Sequence, residues 1–163
     1  MELKRSWSLK KSLSVVFFAI LAVYIFIGLT PAKAVEMEAA TDIKIPEIGL
    51  SADVTLLTME HGMLKTPDKI VGSYSRAKNK TFLVGHSFGV FENLDKLNVG
   101  DEIYYDLVNY KITNIEILEK SDISMDALLA PADVDTIVLM TCAGEVFSDG
   151  DASHRLVITA VVK

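Results

Sequence analysis

The sequence predicts a mainly β domain, a closed or nearly closed antiparallel barrel with one or two short helices, preceded by an N-terminal transmembrane helix. After residue 41, many short runs of β-favouring residues are bounded by Gly, Pro, Asn and Asp. Helical periodicity is nearly absent from this part, which favours a barrel over a doubly wound sheet. A single uncharged apolar run of 17 residues, residues 13 to 29, lies near the N-terminus.

The apolar run is the first element of the chain, and its length is at the lower end of what spans a bilayer. It follows a cluster of basic residues, Lys4, Arg5, Lys10 and Lys11. Basic residues stay on the cytoplasmic side, so the rest of the chain is expected outside the cell membrane, in a single-pass arrangement. We predict a cytoplasmic basic tail and transmembrane signal-anchor over residues 1–34, a linker over 35–41 and the β domain over 42–163. Ala32-Lys33-Ala34 also fits a signal-peptidase site, so cleavage after Ala34 is the alternative.

The β domain contains seven candidate strands, each bounded by turn-forming residues. The longest helical candidates cover only a turn or two, around Pro67 to Ser73 and Ser124 to Leu129. Val108-Asn109 fits a tight turn, and the broken alternation from Ile112 to Ile115 predicts a bulge. The candidate strands are Asp42 to Ile45, Ala52 to Thr58, Thr81 to Gly85, Glu102 to Leu107, Tyr110 to Leu118, Thr136 to Thr141 and Arg155 to Val162.

The excess of acidic over basic side chains argues against a nucleic-acid partner. Residues 35–163 hold 11 basic and 21 acidic side chains, a formal charge of −10. A domain this acidic has no basic stripe for a phosphate backbone, so we expect no nucleic-acid partner. A single cysteine, Cys142, excludes a disulfide framework and, in an exported protein, indicates a reactive thiol.

Three residues at predicted strand ends suggest chemistry. Cys142 follows an apolar strand and precedes a polar loop, a place where a rigid strand fixes the sulfur beside a cleft. His86 lies just past another apolar strand, where a general base would sit, and Arg155 begins the last strand, where its guanidinium suits an oxyanion or a substrate carbonyl. Taken singly, a buried structural cysteine, a loop histidine and a solvated arginine are the simpler interpretations.

Other polar residues carry weaker signals. Gly85 to Gly89 matches the G-x-S-x-G nucleophile elbow with Ser87, but that motif needs a substantial helix after it, which the sequence does not offer. His61 is interpreted as a turn residue, and His154 as a neighbour of Arg155 that is able to tune the site. The loop acids Glu145, Asp149 and Asp151 have the oxygen ligands that calcium takes, but they match no EF-hand spacing and are interpreted as a solvated loop.

The order and spacing of these motifs resemble the sortase family. Val138 to Cys142 is similar to the family's T-L-x-T-C strand, with valine at the first threonine position, and Leu83 to His86 is similar to its G-H strand. Arg155 to Thr159 resembles its arginine strand, and Leu94 to Asp101 the stretch after its histidine. The likeness covers roughly residues 42 to 162. Only 17 residues, 119–135, separate the strand ending at Leu118 from the one beginning at Thr136, and this short segment does not identify a sortase class.

The resemblance implies a closed barrel of about eight strands and a Cys–His–Arg triad of Cys142, His86 and Arg155, with Thr141 as a substrate-binding residue. It implies cleavage of exported proteins at an LPXTG-like sorting signal, a thioester on Cys142, and transfer to an amine acceptor, either a cell-wall precursor or a pilin lysine. The result would be surface-protein attachment or pilin assembly at the membrane. This chemistry requires no cofactor and no metal, and calcium is not expected.

Two alternatives remain at this stage. One is a sortase-like thiol hydrolase in which water takes the place of the amine. The other is a membrane-tethered β-barrel binding module without catalysis, in which Cys142, His86 and Arg155 are unrelated positions. The reactivity of the thiol separates the second alternative from an enzyme, because a buried structural cysteine resists alkylation.

Overall fold

The computed structural model describes residues 41–163 except 61, 62, 65, 68 and 149. The predicted tail, transmembrane segment and nearly all of the predicted linker therefore lie outside the described residues. Thr41, predicted as the last linker residue, is already the first residue of a strand. Among the described residues, none belongs to a helix that is long and apolar enough to cross a bilayer.

Eight of the described strands close into a barrel, which confirms the predicted mainly β closed barrel. Going round the barrel, the order is β1-β2-β5-β6-β9-β10-β8-β7. A separate two-stranded ribbon pairs β3 with β4. The strands are β1 (Thr41–Ile45), β2 (Leu50–Leu56), β3 (Met59–Glu60), β4 (Met63–Leu64), β5 (Val71–Ala77), β6 (Lys80–Val84), β7 (Glu102–Tyr105), β8 (Val108–Glu119), β9 (Thr136–Val146) and β10 (Ala152–Val162).

The barrel is not wholly antiparallel, and in this respect the sequence-based expectation was wrong. Strand β5 runs parallel to β2, and β6 runs parallel to β9. Parallel neighbours need a crossover connection. The chain provides a long one between β6 and β9, which contains β7, β8, two 3₁₀ turns and the α-helix. The parallel pairing matters for the site, because it brings the C-terminal ends of β6 and β9 to the same edge.

The helices are short. The α-helix α1 spans Met125–Leu128, within the candidate predicted around Ser124 to Leu129. The side-chain oxygen of Ser124 caps it by accepting a hydrogen bond from the amide of Ala127. Single 3₁₀ turns cover Pro46–Ile48, Leu94–Lys96 and Lys120–Asp122.

The helix predicted around Pro67 to Ser73 was wrong. Its second half belongs to strand β5, which lies between β2 and β6 in the barrel. Gly72 is required there, since a Cβ atom would come within 2.5 Å of Leu57 Cδ1. The Gly and Ser content lowers the strand propensity of this segment, but ladders on both sides compensate.

The seven predicted strands are all present, with boundaries shifted by a few residues. The tight turn predicted at Val108-Asn109 lies two residues earlier, where Asp106 and Leu107 have φ angles of 49° and 65° between β7 and β8. The predicted bulge is confirmed. Opposite β10, Thr159 pairs with Asn114 but Ala160 pairs with Ile112, which leaves Thr113 as the extra residue.

Alternating residues of the central strands belong to two apolar clusters. In β9, Ile137 and Leu139 pack in the larger cluster, which draws on strands around the barrel and fills its interior. Val138 packs in a smaller cluster on the other face with Phe82, Val84, Leu129 and Val157. Residues of α1 pack against this smaller cluster. The outer face of β6, β9 and β10 is therefore covered by an apolar cluster, against which α1 packs.

Candidate active site

The three predicted triad residues lie on three neighbouring elements, with Cys142 and Arg155 inside β9 and β10 and His86 two residues after the end of β6. Cys142 in β9 and Arg155 in β10 are direct partners in the antiparallel register. In the parallel pairing, Val84 of β6 is opposite Met140 of β9. The amide of Gly85 then donates to the carbonyl of Met140, and the hydroxyl of Thr141 donates to the carbonyl of Gly85, so the chain just before His86 runs alongside the chain just before Cys142. The topology therefore brings together residues that are 56 and 13 positions apart in the sequence.

The alternation of side chains gives these residues a common face. Val138, Met140 and Cys142 share one face of β9, and Val157 and Arg155 share the matching face of β10. Val138 and Val157 belong to the outer cluster, and Met140 packs against it. Cys142 thus lies on the outer side of the barrel wall, half-buried and without a disulfide. A half-buried thiol on a rigid strand is accessible to a substrate and held in place, as nucleophilic chemistry requires.

Thr141 ties the cysteine strand to the histidine segment. Its hydroxyl donates a 2.8 Å hydrogen bond to the carbonyl of Gly85, and only 4% of the Thr141 residue surface is exposed. The amide of Gly85 in turn donates to the carbonyl of Met140 at 3.4 Å. The Thr141 hydroxyl proton is thus committed to Gly85, the residue before His86. Its predicted substrate-binding role stays a prediction.

The segment that carries His86 is a compact turn. The amides of Gly89 and Phe91 each donate to the carbonyl of His86 at 3.1 Å. Gly85 is required before it, since a Cβ atom would lie 2.6 Å from Val90 Cγ1 and 2.8 Å from Phe91 Cδ2. Phe91 is fully buried in the barrel cluster, so the turn is anchored in the core.

Phe88 covers the ring of His86. The two ring centroids are 4.9 Å apart with an interplanar angle of 26°, a stacked arrangement. Phe88 itself is 77% exposed. An exposed aromatic ring on a histidine restricts the imidazole rotation without being part of the core. The sequence analysis missed this residue, because a phenylalanine in a turn carries no periodic signal.

Arg155 makes several hydrogen bonds at the start of β10. Its Nη2 is 2.7 Å from Asp151 Oδ1, and its Nη1 donates to the carbonyls of Ala152 and His154, each at 2.9 Å. Only 13% of the Arg155 side chain is exposed. Asp151 also pairs with Lys120, and the bonds from Lys120 and then Arg155 hold the pKa of the Asp151 carboxyl well below its ordinary value.

A cleft of about 310 Å³ opens beside Cys142. One wall comes from the ends of β8, β9 and β10, and the other from the turn after His86. The walls combine apolar groups with two carboxylates, a lining suited to a peptide with both apolar and cationic parts. The lining residues are Ser87, Phe91, Glu92, Asp95, Ile117, Thr141, Cys142, Ala143, Gly144 and Leu156.

The weaker sequence signals differ in where they lie, and of these Ser87 lines the cleft. His154 pairs with Ala143, on the opposite face from Arg155 by alternation, and its Nδ1 lies 2.8 Å from Ser153 Oγ. The strand before Ser87 leads into turns and a 3₁₀ helix, so the helix that a nucleophile elbow needs does not follow it. His61 and Asp149 lie outside the described residues.

Asp151, considered as a calcium ligand from the sequence, is paired instead with two cationic side chains, Lys120 and Arg155. In the part of the chain that the structure describes, there is no group of three or more His, Cys, Asp and Glu residues able to hold a metal ion.

Solved structures with the same fold include several bacterial enzymes. Sortase C1 from Streptococcus suis matches with a TM-score of 0.59 and 22% identity, over 76% of this chain and 72% of that one. Sortase A from Corynebacterium diphtheriae, a lid mutant, matches with a TM-score of 0.58 and 23% identity, over 76% and 69%. The Clostridium perfringens Sortase D5 transpeptidase matches with a TM-score of 0.58 and 24% identity, over 76% and 78%. The fold is thus shared with proteins named as sortases A, C and D.

The sequence comparison gives the family directly. No curated protein matches this chain. The family profile described as Sortase domain matches residues 43–163, which include almost the whole barrel and all three triad candidates. The resemblance found from the strand-end motifs is therefore confirmed, and the chain belongs to the sortase family.

Proposed function

We propose that this chain is a membrane-anchored cysteine transpeptidase that cleaves an LPXTG-like sorting signal and transfers the acyl group to an amine. Sortases as a family act on such signals and on amine acceptors. The observation that supports the proposal most is the direct pairing of Cys142 with Arg155, on strands that neighbour β6, which His86 follows by two residues. Three chemically different groups with one common location are hard to explain in a binding module.

In the first step, the Cys142 thiolate attacks the carbonyl carbon of the threonine in the signal. The guanidinium of Arg155 donates a hydrogen bond to the carbonyl oxygen, which gains negative charge in the tetrahedral intermediate. The C–N bond then breaks, and the imidazolium of His86 gives its proton to the departing amine. The product of this step is a thioester on Cys142 and a released C-terminal fragment.

In the second step, a primary amine attacks the thioester. His86, now neutral, takes the proton of the amine as the new amide bond forms and the thiolate leaves. The acceptor is a cell-wall precursor or a pilin lysine, and water in its place gives hydrolysis. No metal or organic cofactor takes part in either step of this scheme.

The predicted signal-anchor gives the proposal its location. A catalytic domain outside the cell and tethered by residues 1–34 meets exported substrates and lipid-linked acceptors close to the membrane, where encounter is nearly two-dimensional.

The test uses the full chain in detergent micelles, a library of LPXTG-like peptides and intact-mass spectrometry. We expect an acyl adduct on Cys142 that is lost in Cys142→Ala and much slower in Arg155→Ala. Adding an amine, such as an oligoglycine peptide or a lysine peptide, should convert the adduct into a ligated product. Release of free acid at an unchanged rate would assign the hydrolase instead. A folded protein with no adduct and a thiol that iodoacetamide does not modify would support the binding module.

A further inference from the structure

We propose that Asp151 is the positioning residue for Arg155, holding its guanidinium in the plane needed at the cysteine strand. The proposal rests on the proposed function, in which Arg155 donates to the substrate carbonyl. It adds a residue outside the triad to the machinery of the site.

The contact between the two side chains is short and directional. Arg155 Nη2 lies 2.7 Å from Asp151 Oδ1, while Nη1 is held by the carbonyls of Ala152 and His154 at 2.9 Å each. These three bonds, all to described residues, engage three of the five N–H groups of the guanidinium. The two carbonyls fix only one nitrogen. Asp151 fixes the second nitrogen and so removes rotation of the guanidinium plane.

The Asp151 carboxylate is itself held in place. The amide of Ala152 donates to its Oδ1 at 2.8 Å, and Lys120 pairs with its Oδ2. The backbone carbonyl of Asp151 accepts a 2.7 Å bond from the amide of Phe147, which closes the loop between β9 and β10. A carboxylate fixed through its side chain and its backbone is a rigid anchor for a flexible arginine.

Lys120 links this anchor to a third element. It begins the 3₁₀ turn that follows β8, the strand that pairs with β10 on the side away from β9. The arrangement of Lys120, Asp151 and Arg155 therefore joins the end of β8 to the loop after the cysteine strand. An ion pair that only stabilised the surface would need neither an arginine side chain that is only 13% exposed nor an arginine that is the direct register partner of Cys142.

The test measures the rate of thioester formation for Asp151→Asn in the full chain, using the same peptide and mass readout. Asparagine keeps the shape of the side chain and removes its charge. We expect kcat for adduct formation to fall about tenfold or more, with KM changed less than about twofold, because the lost interaction matters in the transition state. Asp151→Glu, which restores the carboxylate, should recover part of the rate. Asp42→Asn is the matched control, since Asp42 pairs with Lys44 on β1, which three strands separate from β9 in either direction round the barrel.

A double-mutant comparison separates positioning from a general structural effect. If Asp151 acts through Arg155, Asp151→Asn should lower the rate less than about twofold in an Arg155→Ala background. If Arg155→Ala forms no measurable adduct, Arg155→Lys provides the background. A wild-type rate for Asp151→Asn, or a multiplicative loss in the double variant, would overturn the proposal.

Failure of the proposed function looks different, because the wild-type chain itself would then form no adduct. Should Asp151→Asn fail to fold by circular dichroism, Asp151→Ser, which also removes the carboxylate, takes its place, and an unchanged kcat there overturns the proposal.

Discussion

The hydroxyl of Thr141, one residue before Cys142, donates a 2.8 Å hydrogen bond to the carbonyl of Gly85, one residue before His86. This buried bond joins the two segments that carry the proposed nucleophile and the proposed acid. It fixes the relative position of β9 and the turn after β6 at the point where the β6–β9 ladder ends. A hydrogen bond between Thr141 and Gly85 thus connects the Thr141-Cys142 pair with the Gly85-His86 pair.

Replacing Thr141 with valine should therefore lower both stability and catalysis. Valine has the same shape but leaves the buried Gly85 carbonyl without this donor, which costs about 1–3 kcal/mol in the free energy of unfolding. The rate of thioester formation should fall because the His86 turn is less well positioned. Urea unfolding and the mass-based rate measure the two effects. Thr141→Ser keeps the hydroxyl and should stay close to wild type. If Thr141→Val were as active as wild type, the bond would have no positioning role.

The local sequence pattern predicted the strands of the barrel better than the connections between them. Each of the three triad candidates ends or begins an apolar run, so local pattern alone marked Cys142, His86 and Arg155 as strand-end residues. Their pairing depends on strand order, which neither propensity nor periodicity contains. The parallel pairing of β6 with β9 corrects the antiparallel expectation, and it sets Val84, two residues before His86, opposite Met140, two residues before Cys142.

The residues that the sequence could not assign depend on distant partners. From the sequence, Asp151 was interpreted as an acidic residue of a solvated loop. Only the fold brings Lys120, which is 31 residues earlier in the chain, to its carboxylate. Strand β5 was interpreted as partly helical because Gly72 and its serines weaken the strand pattern. Its ladders with β2 and β6 override that local preference.

Removing the aromatic ring over His86 should affect catalysis more than stability. Phe88 is 77% exposed, so Phe88→Ala removes little buried area and should change the free energy of unfolding by less than about 0.5 kcal/mol. The imidazole loses its stacking partner at 4.9 Å and gains rotational freedom, so kcat for thioester formation should fall. Phe88→Tyr keeps the ring and serves as the control. An unchanged kcat in Phe88→Ala would mean that other contacts orient His86.

A methyl group at Gly85 should disturb the same turn from its buried side. In Gly85→Ala, the new Cβ would meet Val90 Cγ1 at 2.6 Å and Phe91 Cδ2 at 2.8 Å, and overpacking of this kind costs about 1–3 kcal/mol. We expect a lower midpoint in thermal unfolding and slower thioester formation. Adding Val90→Ala should relieve one of the two contacts and recover part of the stability. A double variant no more stable than Gly85→Ala would place the strain on Phe91 alone.

The last prediction concerns acid stability, away from the proposed site. Glu102 in β7 bonds Lys163 at 2.5 Å, Asn109 at 3.0 Å and Tyr104 at 2.8 Å, and these bonds, that of Lys163 first, lower the pKa of its carboxyl from 4.5 to about 2. A carboxyl whose pKa is lower in the folded state stabilises the fold above its unfolded pKa, and this contribution is lost as the pH falls from about 4.5 through about 2. Glu102→Gln should therefore be less stable than wild type at neutral pH, and the difference should shrink over that range. Urea midpoints between pH 2 and pH 7 measure it, with Glu116→Gln, an exposed residue of β8, as the control. A constant difference at every pH would show that the charge of Glu102 contributes nothing to stability.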